Sequence, residues 1–205
     1  MYTTVSNTVS TSNTTVSNTV LKQLKNTSNN INNINMDDIY TPRAGVIPYT
    51  VVGGQVYFLL GIDNPSLDIT DFGGGRHNGY NGNVENSMEC AIREFKEETN
   101  SIFPKIYYRK DFFNDSIVIK NQNMMIFFIY INNKWFETAK PRFCKKKKYV
   151  CYKKEEISNI LWIHSNRFRQ MCIYNNDKHK LWDYIRPFIK EHIDNIINNI
   201  LIKIK

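Results

Sequence analysis

The chain has 205 residues, enough for one domain of roughly 100–200 residues plus extensions, and aromatic side chains at 13% supply a real core. Its formal charge of +8 and pI near 9.2 suit an anionic partner such as a nucleotide, a polyphosphate or RNA, with a solvated basic surface as the alternative. No apolar run approaches the ~18 residues of a membrane span and the N-terminus is polar, so a membrane protein is excluded and a cytoplasmic setting is expected.

Residues 1 to about 37 are almost entirely Thr, Ser, Asn and Val, and the run Thr3 to Val9 recurs from Thr15 to Val20 with its preceding Thr14. Such a tract has too little apolar surface to offset the entropy of ordering it, so a disordered tail is expected; an oligomerising segment is the alternative. A folded domain then occupies 38–205. Ala44 to Val52 reads as a strand, Gly53-Gly54 as a hairpin turn and Gln55 to Ile62 as the partner strand. After a loop at Asn64-Pro65-Ser66, a short strand near Leu67 to Phe72 feeds the run Gly73-Gly74-Gly75, where backbone can approach a ligand closely.

A helix follows. Asn86 is its expected N-cap, and Glu89 three residues on completes a capping box. Met88, Ala91, Ile92, Phe95 and Thr99 form one stripe that should pack on a sheet. Glu94, Glu97 and Glu98, three and four positions apart, share another face. Carboxylates that close repel one another unless something positive sits between them. A hard divalent cation with oxygen ligands is the usual answer, and Mg²⁺ commonly pairs one or two carboxylates with substrate phosphates. Most charged helix faces are merely solvated, but the neighbouring glycines and the adjacent Glu97–Glu98 pair favour a site.

Ile117 to Lys120 and Met124 to Ile131 read as further strands, the second a buried apolar run. Arg142 to Lys154 holds seven basic residues, among them Lys145, Lys146, Lys147 and Lys148, and Ile160 to His164 is another short strand. Leu181 to Ile204 is helical by period, with Pro187 expected to kink or restart it. This amphipathic helix has more isoleucine than one packing face needs, which makes a homodimer plausible. Trp135, Trp162 and Trp182 are expected in the core or an interface, and His164, His179 and His192 show no metal-ligand spacing. His77, near the glycine run, suits an exposed loop or a phosphate contact. Cys90, Cys144, Cys151 and Cys172 form no C-x-x-C pair, so free thiols in a reducing compartment are expected.

Gly79, Glu85, Arg93, Glu94, Phe95, Glu97 and Glu98 stand at the spacings G-x5-E-x7-R-E-U-x-E-E-x-G-U, U being a bulky apolar residue. The segment resembles the Nudix box. The resemblance implies an α/β fold, a Nudix-type α/β/α sandwich with a mixed sheet, carrying here the N-terminal tail and the C-terminal amphipathic helix as additions. It implies that Glu97 and Glu98 are the principal ligands of Mg²⁺ or Mn²⁺, that Glu94 completes the site, and that Arg93 and Glu85 brace the loop against the helix. Two departures stand out. Asn100 occupies the place of the closing glycine, where asparagine tolerates a left-handed backbone, and Ser101-Ile102 blurs the apolar position after it. The family glycine usually sits in a Gly-Gly run after a strand, so Gly73-Gly74-Gly75 with an insertion at Arg76 to Asn81 is the preferred alignment over Gly79, and a carbonyl of Gly73 or Gly74 is expected at the metal.

The implied reaction is attack of water on phosphorus within a diphosphate linkage. Glu155 and Glu156 are the best candidates for a general base outside the box, with pairing to Lys153 and Lys154 as the alternative. Arg76, Lys145, Lys147 and Lys148 are expected to hold substrate phosphates, and Tyr149 and Tyr152 can stack on a base. The candidate substrates are the RNA 5′ cap, which the lysine run favours, and dinucleoside polyphosphates, diphosphoinositol polyphosphates and nucleotide sugars. A Nudix-fold module that binds nucleotides or RNA without cleaving them is the competing function.

Overall fold

A computed structural model describes residues 39–64, 66–77, 84–147, 156–174 and 180–203. The N-terminal tract, the box-spaced Gly79, Lys148 and the segment with Tyr149, Tyr152 and Glu155 lie outside them, as does the expected boundary at 37/38.

The strand β1 (Arg43–Val52) organises the sheet. Gly53 and Gly54, at φ +57° and +76°, close a two-residue hairpin onto β2 (Gln55–Asp63), and both angles lie in the left-handed region that glycine enters without cost. Two short strands follow, β3 (Ile69–Thr70) and β4 (Phe72–Gly75). β2 and β4 share one edge of β1: β2 pairs antiparallel with Tyr49 to Val52, and β4 antiparallel with Arg43 to Val46. Along the other edge β6 (Met124–Tyr130) runs parallel to β1, with β5 (Ile117–Lys120) antiparallel outside it. β7 (Ile157–His164) pairs antiparallel with β2. The sheet is mixed, as expected.

Helices cover both faces. On one lies α1 (Ser87–Glu98), whose Phe95 ring meets Phe72 of β4 at 5.9 Å between centroids. On the other lie α4 (Ser165–Tyr174) and α5 (Arg186–Lys203), where Phe168 meets Phe58 at 4.9 Å. Successive strand residues point to opposite faces, so Ile47, Tyr49, Phe58, Leu60, Ile126 and Phe128 join Ile189, Ile193, Ile196 and Ile200 of α5 in one buried cluster. Most of the isoleucines that suggested a second subunit are thus taken up inside the chain. Ile202 is 69% exposed.

Three elements depart from expectation. Arg142 to Lys147, read only as a basic run, lies in a helix α3 (Trp135–Lys147) that includes Pro141. A 3-10 turn (Lys105–Tyr108) and a single helical turn, α2 (Lys110–Phe113), fill the connection before β5. The C-terminal helix begins at Arg186 rather than Leu181, with Pro187 in its first turn, where a missing N–H costs nothing. Leu181 forms a bridge to Ile69, and Trp182 donates its backbone N–H to the Ile69 carbonyl at 2.8 Å. Among the described residues, no helix is long and apolar enough to cross a membrane, and Cys90, Cys144 and Cys172 are free thiols.

Candidate active site

The helix α1 is fixed at both ends by local sequence. Asn86 accepts the Glu89 N–H at 2.9 Å and Glu89 accepts the Asn86 N–H at 3.1 Å, the expected capping box. The Ile39 carbonyl accepts the Ser87 N–H at 2.9 Å, so the chain entering β1 satisfies another open donor of the first turn. At the C-terminal end Asn100 and Ser101 have φ of +52° and +50°. Their amides reach back to the carbonyls of Glu97 and Lys96, both at 2.9 Å, which is the Schellman pattern. Two left-handed residues in place of one explain the blurred apolar position: Ile102, one residue later than the box has it, is the buried one at 4% exposure.

Between these ends Arg93 ties the loop before the helix to the helix itself. Its Nε and Nη2 donate to the two Glu85 oxygens at 2.9 and 3.1 Å, Nη2 also donates to the Gly75 carbonyl at 2.9 Å, and Nη1 donates to Glu94 at 2.7 Å. Glu85 accepts the His77 N–H as well, at 3.0 Å. Burial works against the Glu85 charge, but the Arg93 hydrogen bonds hold its carboxyl below the usual range. A mixed sheet between helices, a strand of glycines, a braced loop and a glutamate-bearing helix now stand together. The fold is a mixed-sheet α/β sandwich, the architecture that the box resemblance implied.

No family model matches the sequence, and no curated protein matches it. In overall structure the chain is similar to a mutT/nudix family protein from Listeria innocua, at 13% identity over 80% of this chain and 98% of that one, with a TM-score of 0.44. It is similar to a C. elegans Ap4A hydrolase in a binary complex, at 20% identity over 60% of this chain and 80% of that one, TM-score 0.37. A third structure, Shewanella oneidensis NrtR complexed with a 27mer DNA, matches at 10% identity over 77% and 61%, TM-score 0.35. Likeness at this level says nothing about substrate.

The helix α1 forms one wall of a cleft of about 700 Å³, and the glycine strand β4 forms another. Glu94, Glu98 and Glu156 bring carboxylate oxygens within 4.8 Å of one another. Glu94 is buried because nothing stands between it and β4: a Cβ placed on Gly74 would lie 2.6 Å from its carboxyl carbon. Glu98 Oε2 is buried with no hydrogen-bond partner among the described residues. Burial, then the negative charges of Asp71 and Glu94, push the Glu98 carboxyl well above the usual range; burial also raises Glu94, against the pull of Arg93. An orphaned oxygen among carboxylates is what a hard dication would satisfy, so the donor set fits Mg²⁺ or Mn²⁺.

The other expected site residues divide. Glu97 lines the cleft, but its side chain is 59% exposed and stands 3.6 Å from Arg93, apart from the three clustered carboxylates. Gly73 does not line the cleft; its carbonyl accepts Arg43 Nη2 at 3.0 Å, while Gly74 and Gly75 form the wall. On β4, Gly74 shares the Phe72 face toward α1. Arg76 lines the cleft, with its guanidinium 5.4 Å from the Tyr40 ring centre, and His77 and Lys96 join it there. Lys145 and Lys147 do not: Lys145 is exposed on α3, and Lys147 donates to the Ser158 carbonyl at 2.9 Å. The α3 helix thus turns Lys147 toward backbone and leaves Lys145 in solvent.

Sequence reasoning missed a buried pair beneath the site. Arg43 donates to both Asp71 oxygens, at 2.9 and 2.6 Å, with Asp71 fully buried and the Trp182 ring centre 5.3 Å from the guanidinium. An aspartate inside the short apolar stretch before the glycines was the available signal, because a buried acid requires a cationic or hydrogen-bonding partner.

Proposed function

We propose that this protein is a divalent-metal-dependent Nudix pyrophosphohydrolase that cleaves a diphosphate linkage in a nucleoside diphosphate-linked substrate. The observation that carries this reading is the convergence of Glu94, Glu98 and Glu156 within 4.8 Å, with a buried Glu98 oxygen that no group among the described residues satisfies. Glu94 and Glu98 hold Mg²⁺ or Mn²⁺ in this reading, and Glu97 joins them by a change of rotamer. When bound, the cation neutralises phosphate oxygens and lowers the pKa of a bound water. Glu156, the most exposed of the three clustered carboxylates, is the group best placed to take a proton from the attacking water. Arg76 and Lys96 on the cleft wall supply positive charge for the substrate phosphates, with His77 beside them. Arg93 and Glu85 position the loop against the helix.

The RNA 5′ cap and dinucleoside polyphosphates are the substrates in view. The cap reading drew on the lysine run, and with Lys147 bound to backbone and Lys145 outside the cleft that support is reduced. Diphosphoinositol polyphosphates suit the same acidic centre but use no base contact. The test is hydrolysis by the full chain, with Mg²⁺ or Mn²⁺, of capped RNA, dinucleoside polyphosphates, diphosphoinositol polyphosphates and nucleotide sugars, beside Glu98→Gln. Metal-dependent product lost in the variant is the expected result. Binding without product in both proteins would instead make this a nucleotide- or RNA-binding module.

A further inference from the structure

The lysine run has a use in the structure that its sequence does not announce. Lys146 Nζ donates to the carbonyls of Asn100, at 3.0 Å, and Ser101, at 2.5 Å. Those are the two non-glycine residues held at positive φ where the Nudix box has its closing glycine. One residue on, Lys147 Nζ donates to the carbonyl of Ser158, two positions after Glu156, and Ser158 Oγ in turn donates to the Ile62 carbonyl at 3.0 Å. The last turn of α3 therefore touches both elements that carry the clustered carboxylates: the C-terminal cap of α1, next to Glu98, and the start of β7, next to Glu156.

Resting on the functional reading above, we infer that Lys146 is a positioning residue that replaces the missing box glycine. A left-handed asparagine followed by a left-handed serine is a strained helix end, and strain of this kind persists only where surrounding contacts over-determine it. An ammonium across both carbonyls supplies that contact and complements the negative end of the helix dipole. Without it the last turn of α1 frays, and Glu98, the final helical residue, loses its fixed place opposite Glu156. Lys147 sets the same spacing from the β7 side. The pair determines how far apart the two carboxylate-bearing elements stand, which is the dimension a small dication reads.

The test is a cycle of Lys146→Met, Asn100→Gly and the double variant, read two ways on the full chain. Mn²⁺ affinity is measured by calorimetric titration, and amide exchange of Asn100 to Ile102 is followed in the metal-free protein. Lys146→Met is expected to weaken Mn²⁺ binding about tenfold and to speed exchange at the cap. In the Asn100→Gly background the same substitution should cost less than about threefold, because glycine accepts the left-handed backbone unaided. Lys146→Arg, which keeps a charged donor, should stay within about threefold of the parent. Equal losses in both backgrounds would show that the lysine acts by charge alone and overturn the inference. So would unchanged exchange in Lys146→Met. If the parent binds no Mn²⁺, the functional reading fails, and the exchange cycle still decides whether Lys146 holds the cap.

Discussion

The carboxylate of Glu94 rests on the bare Cα of Gly74, across the gap between α1 and β4. An added Cβ at that glycine would lie 2.6 Å from the Glu94 carboxyl carbon, so the space belongs to the carboxylate. Gly74→Ala is therefore expected to displace Glu94 without perturbing the strand, since β4 needs no positive φ there. Overpacking of this kind costs about 1–3 kcal/mol. Chemical denaturation and metal titration of the variant should both register the loss, with Gly75→Ala, whose Cβ meets nothing within 4 Å, as the neutral comparison.

Glu98 is held at a cost to the empty protein. Its buried, unpaired oxygen and the neighbouring Asp71 and Glu94 charges all oppose ionisation. Glu98→Gln should raise the stability of the metal-free protein at neutral pH by about 1 kcal/mol, by removing a carboxyl whose ionisation folding opposes. It should also abolish stabilisation by Mn²⁺, which for the parent at a hundredfold excess over Kd is about 2.7 kcal/mol, or roughly 5–10 °C in Tm. Melting curves in chelator and in excess Mn²⁺ separate the two effects; a variant less stable than the parent in chelator would contradict this account.

For Glu85 the pH dependence has a definite sign. Its folded carboxyl is held below the usual range by Arg93 and the His77 N–H, despite burial. A depressed folded value contributes stability above the unfolded value and loses it as pH falls through the folded one. Glu85→Gln should therefore be less stable than the parent at pH 7, by about 1–3 kcal/mol for a hydrogen-bonded charge removed. The gap should close below the ordinary carboxylate range. Tm against pH for both proteins measures it.

Arg43 and Asp71 form the sort of pair whose halves are worse alone than absent together. Asp71→Asn leaves a guanidinium that is 7% exposed without its counter-charge and should cost about 3–5 kcal/mol. Arg43→Met with Asp71→Leu should be less damaging than the sum of the single changes. A double-mutant cycle by urea denaturation gives the coupling, and additivity within experimental error would show that the pair is not a unit.

What could be read from the sequence was what neighbouring residues determine. The capping box at Asn86 and Glu89, the Gly53-Gly54 hairpin and the one-sided stripe of α1 are all written within a turn or two of chain. The partners Arg43 and Asp71 lie 28 residues apart and leave no periodic trace. The helix over Arg142 to Lys147 was obscured by Pro141 and by four consecutive lysines, which blunt any amphipathic pattern. Leu181 matched the period of the C-terminal helix, yet the chain uses it to bridge Ile69 and begins the helix only at Arg186. The clustering of Glu156 with Glu94 and Glu98 could not be measured along the chain at all, because it depends on where β7 docks.

That docking has a temporal side. The hydrogen bond from Ser158 to Ile62 spans 96 residues, and the β2–β7 pairing around it joins the first hairpin to one of the last elements made. Contacts of such sequence separation are reached late and slowly, after long loops have closed. A growing chain thus carries Glu94 and Glu98 for more than half of the domain's remaining synthesis before Glu156 exists to face them. The acidic centre comes into being only when the sheet is complete, so an incomplete copy of this protein has a helix of glutamates without the carboxylate that faces them.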